Sequence, residues 1–296
     1  EMMMPLAGVR PPIVVATDFS EAASVAVEDA AMLTRCQHAD LHVLHVFNDG
    51  VWTTPKNLYD TKHWSGEDPV LTTRRRLSEL TEDVARRHGI HAVAEAETGD
   101  PASTIARFAE QCGARLIVIG KESEDWLTDT ILGETALELL EETEVPVMIA
   151  RRRNAELVRR VLVATDFSAC SRRAALLACQ LFPDAEVTLF NAYSVRYESR
   201  MRIGGASEED IASYRLTEQV NAESAIRQLV FAIDRRKRLK TMVEYGHAAP
   251  AIVAQASAGV DVIVVGKNGD DPVKDRLGDV TRNVLYHADC NVLLVP

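Results

Sequence analysis

Ile13-Val14-Val15-Ala16-Thr17-Asp18-Phe19-Ser20 decides how the chain is read: a short apolar run, a polar turn carrying a carboxylate, then a serine able to cap a helix. Its last five residues, Ala16-Thr17-Asp18-Phe19-Ser20, return unchanged as Ala164-Thr165-Asp166-Phe167-Ser168, at an offset of 148 in a chain of 296. The match extends outward. Ile117-Val118-Ile119-Gly120-Lys121 answers to Ile263-Val264-Val265-Gly266-Lys267 at offset 146, and Val147-Met148-Ile149 answers to Val292-Leu293-Leu294 at offset 145. One design is written twice, with small length changes in loops, which sets the domain count before any element is assigned. The copies are expected at residues 1–151 and 155–296, separated by the polar stretch Arg151-Arg152-Arg153-Asn154, read as a solvated linker.

Around the opening run the first copy alternates between strand and helix periods. Continuous apolar runs, the mark of strands buried on both faces of a parallel sheet, predict strands at Ile13–Thr17, Leu41–Phe47, Ala92–Thr98, Leu116–Ile119 and Val147–Ala150. Helical spacing predicts helices over Glu21–Cys36, Val70–His88, Ala102–Gln111 and Leu132–Glu142, with Ser20 as the first N-cap. The second copy is expected to repeat the series, with strands near 160–165, 186–192, 241–245, 261–265 and 292–295. Right-handed crossovers then give an α/β fold of two tandem, doubly wound, five-stranded parallel-sheet domains.

Composition agrees with folded globular domains: 47% hydrophobic and 26% charged residues exclude disorder and collagen. No run approaches the ~18 apolar residues of a membrane span. The opening EMMMPLAGVRPP lacks the flank, core and cleavage site of a signal peptide, so a cytoplasmic protein without membrane contact is expected. Five cysteines (Cys36, Cys112, Cys170, Cys179, Cys290) without C-x-x-C spacing suggest neither a disulfide framework nor a zinc knuckle. A net charge of −11 argues against a nucleic-acid surface. That charge is uneven: residues 1–150 hold 12 basic and 26 acidic side chains, residues 151–296 hold 21 and 18. The second copy can therefore take an anion that the whole-chain charge discourages.

In a doubly wound sheet the ligand crevice lies beyond the carboxyl ends of the strands where strand order reverses, which singles out the loops after strands one and four. Asp18 and Asp166 can accept a hydrogen bond from a ribose hydroxyl or exocyclic amine, or can simply help cap the first helix; duplication copies both roles alike. After strand four the second copy has Gly266-Lys267-Asn268-Gly269, then Leu277-Gly278-Asp279-Val280-Thr281 opening a helix, where glycines can expose amides to a phosphate, with Thr281 adding a hydroxyl donor, or merely close the turn. The first copy has Gly120-Lys121-Glu122-Ser123 and Leu132-Gly133-Glu134-Thr135.

These residues, with Gly99-Asp100-Pro101-Ala102, its weaker counterpart Gly246-His247-Ala248-Ala249-Pro250, and the closing Ala288-Asp289-Cys290-Asn291-Val292-Leu293-Leu294-Val295, give a chain that resembles a tandem universal stress protein from about Pro12 to Pro296. The resemblance implies a Rossmann-like fold of the adenine-nucleotide alpha-hydrolase type, an internal pseudo-dimer with possible further homodimerisation, and unknown protein partners. It further implies ATP or another adenine nucleotide as ligand, with or without Mg²⁺. ATP-binding relatives carry G-x2-G-x9-G-[S/T]. On that pattern the second-copy site comprises Ala164, Thr165, Asp166 and Ala192 at the adenosine end and Gly266, Gly269, Gly278, Asp279, Val280 and Thr281 at the phosphates. A degenerate first-copy site comprises Ala16, Thr17, Asp18, Val46, Gly120, Gly133 and Thr135.

Both copies depart from the motif. Ser123 replaces the middle glycine and Glu134 the hydroxyl residue in the first; Gly278 arrives one residue early and Asp279 replaces the hydroxyl residue in the second. Two like charges 4 Å apart repel by about 4 kcal/mol at an effective dielectric of 20, unless a divalent ion bridges them. Gly120–Thr135 holds one lysine against five carboxylates, whereas Gly266–Thr281 holds three basic residues against four acidic, so the second copy is the better phosphate site. Three functions are compatible: a nucleotide-binding stress regulator, a nucleotide-independent interaction module, and a weak ATPase or autokinase.

Other constellations weigh less. His42 and His45 point to opposite strand faces and cannot chelate one metal, and His88 and His91 straddle a helix end, so no metal site is assigned. Cys170 beside Arg172 and Arg173 reads as buried filler ahead of a redox thiol, and Arg235-Arg236-Lys237-Arg238 as a helix end ahead of a nucleic-acid patch. Walker, zincin, dinucleotide and nucleophile-elbow signatures are absent, and no catalytic residue is assigned.

Overall fold

Apolar runs closed by helix-capping turns shape both copies. The computed structural model describes residues 11–48, 68–121, 132–151, 158–195, 198–233, 239–269 and 277–296. The chain divides into two compact units, Glu1–Ala155 and Glu156–Pro296.

The first unit runs β1 (Ile13–Ala16), α1 (Glu21–Gln37), β2 (Leu41–Phe47), α2 (Pro69–His88), β3 (Ala92–Thr98), α3 (Pro101–Gln111), β4 (Leu116–Gly120), α4 (Glu134–Glu142) and β5 (Val147–Ala150). Its strands lie in the order β3-β2-β1-β4-β5, all parallel, so the order reverses between β1 and β4. The central residues Val14, Val15, Ile117 and Val118 are fully buried, as a sheet covered on both faces requires. Helix starts follow from capping chemistry: the Ser20 hydroxyl accepts from the Ala23 amide at 3.1 Å, and Asp68 and Asp100 cap α2 and α3, each with proline in the first turn.

The second unit runs β6 (Arg160–Ala164), α5 (Ala169–Leu181), β7 (Glu186–Tyr193), α6 (Glu198–Ile203), α7 (Glu208–Ile233), β8 (Lys240–Tyr245), α8 (Ala248–Ser257), β9 (Val262–Gly266), α9 (Asp279–His287) and β10 (Asn291–Val295). The order β10-β9-β6-β7-β8 is again parallel throughout, with its reversal between β6 and β9. Both units are thus Rossmann-like α/β domains in tandem. No helix among the described residues is long and apolar enough to cross a membrane.

Several boundaries differ from the sequence expectation. Strand β1 ends at Ala16 because the Thr17 hydroxyl accepts from the Phe19 amide at 3.1 Å and turns the chain. Helix α4 starts at Glu134, not Leu132, since Leu132 is drawn into the core at 1% exposure and extended Gly133 takes the N-cap. Strand β9 is shifted to Val262–Gly266, because the Asp261 carboxylate accepts from the amides of Arg159 and Arg160, at 2.8 Å each, and closes the turn. In the second unit a short helix, α6, precedes α7 and ends at Gly204 and Gly205 (φ 84°), before Ser207 accepts from the Asp210 amide. The linker residues Arg152–Asn154, the basic run Arg235–Arg238 and the charged loop residues 122–129 and 270–276 lie outside the described residues.

Candidate functional site

The loop after the first strand of each unit is built identically. Asp18 Oδ1 accepts from the Ser20 amide at 2.9 Å and Asp166 Oδ1 accepts from the Ser168 amide at 3.0 Å, so one oxygen of each carboxylate tightens the turn and the other stays available. Thr17 and Thr165 bracket the same turn from their hydroxyls. Between them Phe19 and Phe167 adopt left-handed backbone, φ 66° and 67°, which is uncommon for a bulky side chain and costs on the order of 1–3 kcal/mol. The double bracket holds that strain and leaves Asp18 and Asp166 exposed at the strand end.

In the second unit, Ala164, Thr165, Asp166, Ala192, Gly266, Gly269, Gly278, Asp279, Val280 and Thr281 line one crevice of about 360 Å³. Its wall also includes Ser171, Phe190, Asn191, Ala248, Ile252, Val265 and Asn268, for which the motif gave no signal. Asn191 is fixed by its position: on β7 it donates Nδ2–H to the Thr165 carbonyl at 2.7 Å and ties two crevice-lining strand ends together. Ser171 shares hydrogen bonds with Thr165 at 3.0 Å and Ser168 at 3.3 Å, making a buried hydroxyl cluster under the loop.

Helix α9 opens onto this crevice without a side-chain cap. Its first internal bond runs from the Arg282 amide to the Gly278 carbonyl, so the amides of Asp279, Val280 and Thr281 carry the unsatisfied positive end of the helix. A Cβ on Gly278 would meet only ordinary contacts, 3.7 Å or more away, so the fold itself does not demand glycine there. A Cβ on Gly269 would collide with the second oxygen of Asp166, which places that carboxylate against the Gly269 backbone. Thr281 is buried and donates its hydroxyl to the Gly266 carbonyl at 2.7 Å; what it offers a ligand is its amide, not the hydroxyl proton expected from the sequence. Asp279 is exposed, so its repulsion of an anion is closer to the ~1 kcal/mol of charges 4 Å apart in water than to the larger low-dielectric value.

The first unit gathers Ala16, Thr17, Asp18, Val46, Gly120 and Thr135 around a crevice of about 210 Å³, together with His45, Ile105 and Ala136. Gly133 is the N-cap of α4, likewise without a side-chain cap, and is not part of the crevice wall. Matching strand pairings put His45 where the second unit has Asn191: its Nδ1 donates to the Thr17 carbonyl at 2.8 Å, a contact that fixes the Nδ1–H tautomer. Its ring lies 5.0 Å from Phe19 and 4.8 Å from Phe47, and the Arg76 guanidinium covers Phe19 at 4.6 Å. Ala23 and Ala136 stand at the positions of Ser171 and Thr281, so this crevice lacks their hydroxyls.

Cys170, His88 and His91, singled out in the sequence, each have a structural partner. Cys170 is buried and its thiol donates to the Val295 carbonyl, while Arg173 bonds the Pro296 carbonyl, in keeping with its reading as buried filler. His88 and Arg87 both bind the Glu28 carboxylate. Burial pushes that carboxyl up, but the Arg87 and His88 bonds outweigh it and hold it below its usual range. His91 faces Asp40, and no group of three or more potential metal ligands occurs among the described residues.

The comparisons with known proteins agree with this architecture. The model of the universal stress protein family matches residues 10–151 and again 158–296. Universal stress protein YxiE of Bacillus subtilis (strain 168) is 28% identical over 144 residues, 47% of this chain and 97% of that protein. A crystal structure of a universal stress protein from Archaeoglobus fulgidus superposes with a TM-score of 0.64 at 19% identity, over 96% of this chain and 97% of its own. That of a functionally unknown protein from Pseudomonas aeruginosa PAO1 gives 0.62 at 18% identity, over 97% and 92%. With both halves matched by the family model and each half folded around its own switch-point crevice, the chain belongs to the universal stress protein family, as a member with two domains in tandem.

Proposed function

We propose that the crevice of the second unit binds an adenine nucleotide, with Mg²⁺ at its phosphates, and that the chain uses this binding to regulate a stress response without efficient turnover. The observation that carries the reading is the uncapped N-terminus of α9, with the amides of Asp279, Val280 and Thr281, opening onto the same crevice as Asp166. In this reading the phosphates sit at those amides and the backbone of Gly266, Gly269 and Gly278, the ribose hydroxyls at the free oxygen of Asp166, and the base against Ala192 and Ile252. The divalent ion offsets the charge of Asp279. The first crevice, smaller and with Ala23 and Ala136 in place of Ser171 and Thr281, binds nucleotide weakly or not at all.

Freshly purified full-length protein tests this by mass spectrometry of released small molecules and by thermal shift. The expected result is a co-purifying adenine nucleotide, with a rise in Tm on adding MgATP that is absent in Asp166→Ala. Repeated absence of both would overturn the reading in favour of a nucleotide-independent interaction module. Phosphate release unaffected by Asp166→Ala would argue against turnover at this site.

A further inference from the structure

The outermost strand of the second unit is unusually bare. Strand β8 pairs only with β7, and Lys240, Thr241, Met242, Glu244 and Tyr245 are all exposed. The Gly246 amide donates inward to the Tyr193 carbonyl, so by strand alternation the backbone groups of Tyr245, Val243 and Thr241 point outward, away from β7. Among the described residues nothing pairs with that side. Proteins normally blunt such an edge with scattered charges or proline. Here the charges are arranged symmetrically: Lys240 and Glu244 flank Met242 at equal distance, and Leu239 and Tyr245 flank it one step further out.

We infer that β8 is a self-association surface whose partner is a second copy of this chain, joined antiparallel edge to edge about a two-fold axis at Met242. Three features converge on this register. It sets outward-facing Thr241 opposite outward-facing Val243 of the second copy, and the reverse, which is the hydrogen-bonded pairing of an antiparallel ladder. It sets Lys240 opposite Glu244 of the second copy twice, in the closely spaced non-hydrogen-bonded positions where cross-strand charge pairs act most strongly. Lys240 already reaches Glu186 at 2.6 Å with its side chain 61% exposed, so it can bridge both carboxylates. On one face Met242 (39% exposed) meets its own symmetry mate, and on the other Tyr245 (43% exposed) meets Leu239. The dyad also brings together the two α7 helices that cover β8, whose exposed Leu216 and Val220 provide apolar surface.

The outer strand of the first unit supplies the control. In β3 the Gly99 amide donates inward to Phe47, leaving Ala92, Ala94, Ala96 and Thr98 outward. The register centred on Glu95 sets that carboxylate against itself, and the one centred on Ala96 sets Glu95 against Glu97 twice, with no basic residue in the strand to compensate. The β3 edge repels its own copy where the β8 edge attracts it.

Sedimentation velocity of the full chain over a concentration series tests the proposal. Wild type is expected to form a dimer. Lys240→Glu and Glu244→Lys each turn two attractive pairs into two repulsive ones and weaken the dimer by about 10- to 30-fold. An equimolar mixture of the two variants restores it, because each then supplies the charge the other lacks. Glu95→Gln in β3, which creates no attractive cross-strand pair, leaves self-association unchanged. Circular dichroism melts of each variant separate a folding defect from a pairing defect, and recovery in the mixture is not open to a misfolded chain. A monomeric wild type, a dimer indifferent to both substitutions, a mixture that fails to recover, or open-ended polymerisation overturns the inference.

Discussion

The two crevices share a frame and differ in what fills it. Both are made by a bracketed Thr-Asp-Phe-Ser turn, a glycine at the end of the fourth strand, and a glycine-capped helix whose first amides are free of side-chain caps. The second crevice adds the hydroxyls of Ser171 and Thr281 and the amide of Asn191 within about 360 Å³. The first has Ala23, Ala136 and an aromatic-stacked His45 within about 210 Å³. Backbone geometry set by hydrogen bonds within each loop has been kept in both copies, while the side chains facing the crevice have diverged. What distinguishes the two crevices is therefore the divergent side chains, since the turn that carries Asp18 or Asp166 is common to both.

The largest expected effect separates the two crevice floors. A Cβ on Gly120 would strike the backbone of Ala22 and, at 2.8 Å, the Ala23 amide, which cannot move without shifting α1. Gly120→Ala should cost about 3 kcal/mol in a denaturant titration. At Gly266 the obstacle is the Cys170 sulfur at 2.7 Å, a side chain. Gly266→Ala should cost about 1–2 kcal/mol, and a cycle with Cys170→Ala should show favourable coupling between the two changes. Equal costs at both glycines would mean the floors are not built differently.

A second contrast concerns ligand. Asp166→Ala should weaken adenine-nucleotide binding by at least about 10-fold, the effect of losing one charge-assisted hydrogen bond, while Asp18→Ala leaves it unchanged. Fluorescent-nucleotide titration of both variants distinguishes the crevices, and equal losses would merge them. A smaller change is expected at Asp279. Because the carboxylate is exposed, Asp279→Ser should tighten binding about 5-fold, in keeping with ~1 kcal/mol of screened repulsion; weaker binding would show that the carboxylate is needed to hold the metal ion.

The smallest effect concerns α6 and α7. Glu198, bonded by Arg202 within α6, joins α6 to α7 through Arg215 and to β8 through the Tyr245 hydroxyl. Those bonds hold its carboxyl down to about 2. A depressed carboxylate stabilises the fold above its unfolded pKa of about 4.3, and that contribution is lost as pH falls towards the folded value. Between about pH 5 and pH 2 the second unit should therefore lose stability that Glu198→Gln has already lost, so the difference between wild type and variant shrinks on acidification. A difference independent of pH would remove the charge from this account.

Much of the frame was legible in the sequence because it rests on periodicity and capping. The buried strands announce themselves as continuous apolar runs, and Ser20, Asp68 and Asp100 are residue types whose short polar side chains satisfy helix amides. What escaped depends on tertiary placement. Phenylalanine gives no hint of left-handed backbone at Phe19 and Phe167, since the strain is imposed by Thr and Asp brackets on either side. His45 and Asn191 occupy equivalent positions with different chemistry, and only the strand register reveals that both clamp the carbonyl after the first strand. The hydroxyl of Thr281 looked free in one dimension, yet the fold brings the Gly266 carbonyl within 2.7 Å of it. The break that creates α6 was written in Gly204-Gly205, but the repeat of strands on either side masked it.

Isothermal titration calorimetry of the full chain with MgATP tests the central claim most directly, because it counts sites as well as measuring affinity. The account predicts one site per chain, abolished by Asp166→Ala and indifferent to Asp18→Ala. Two equivalent sites, or a single site that survives Asp166→Ala and disappears in Asp18→Ala, would contradict it.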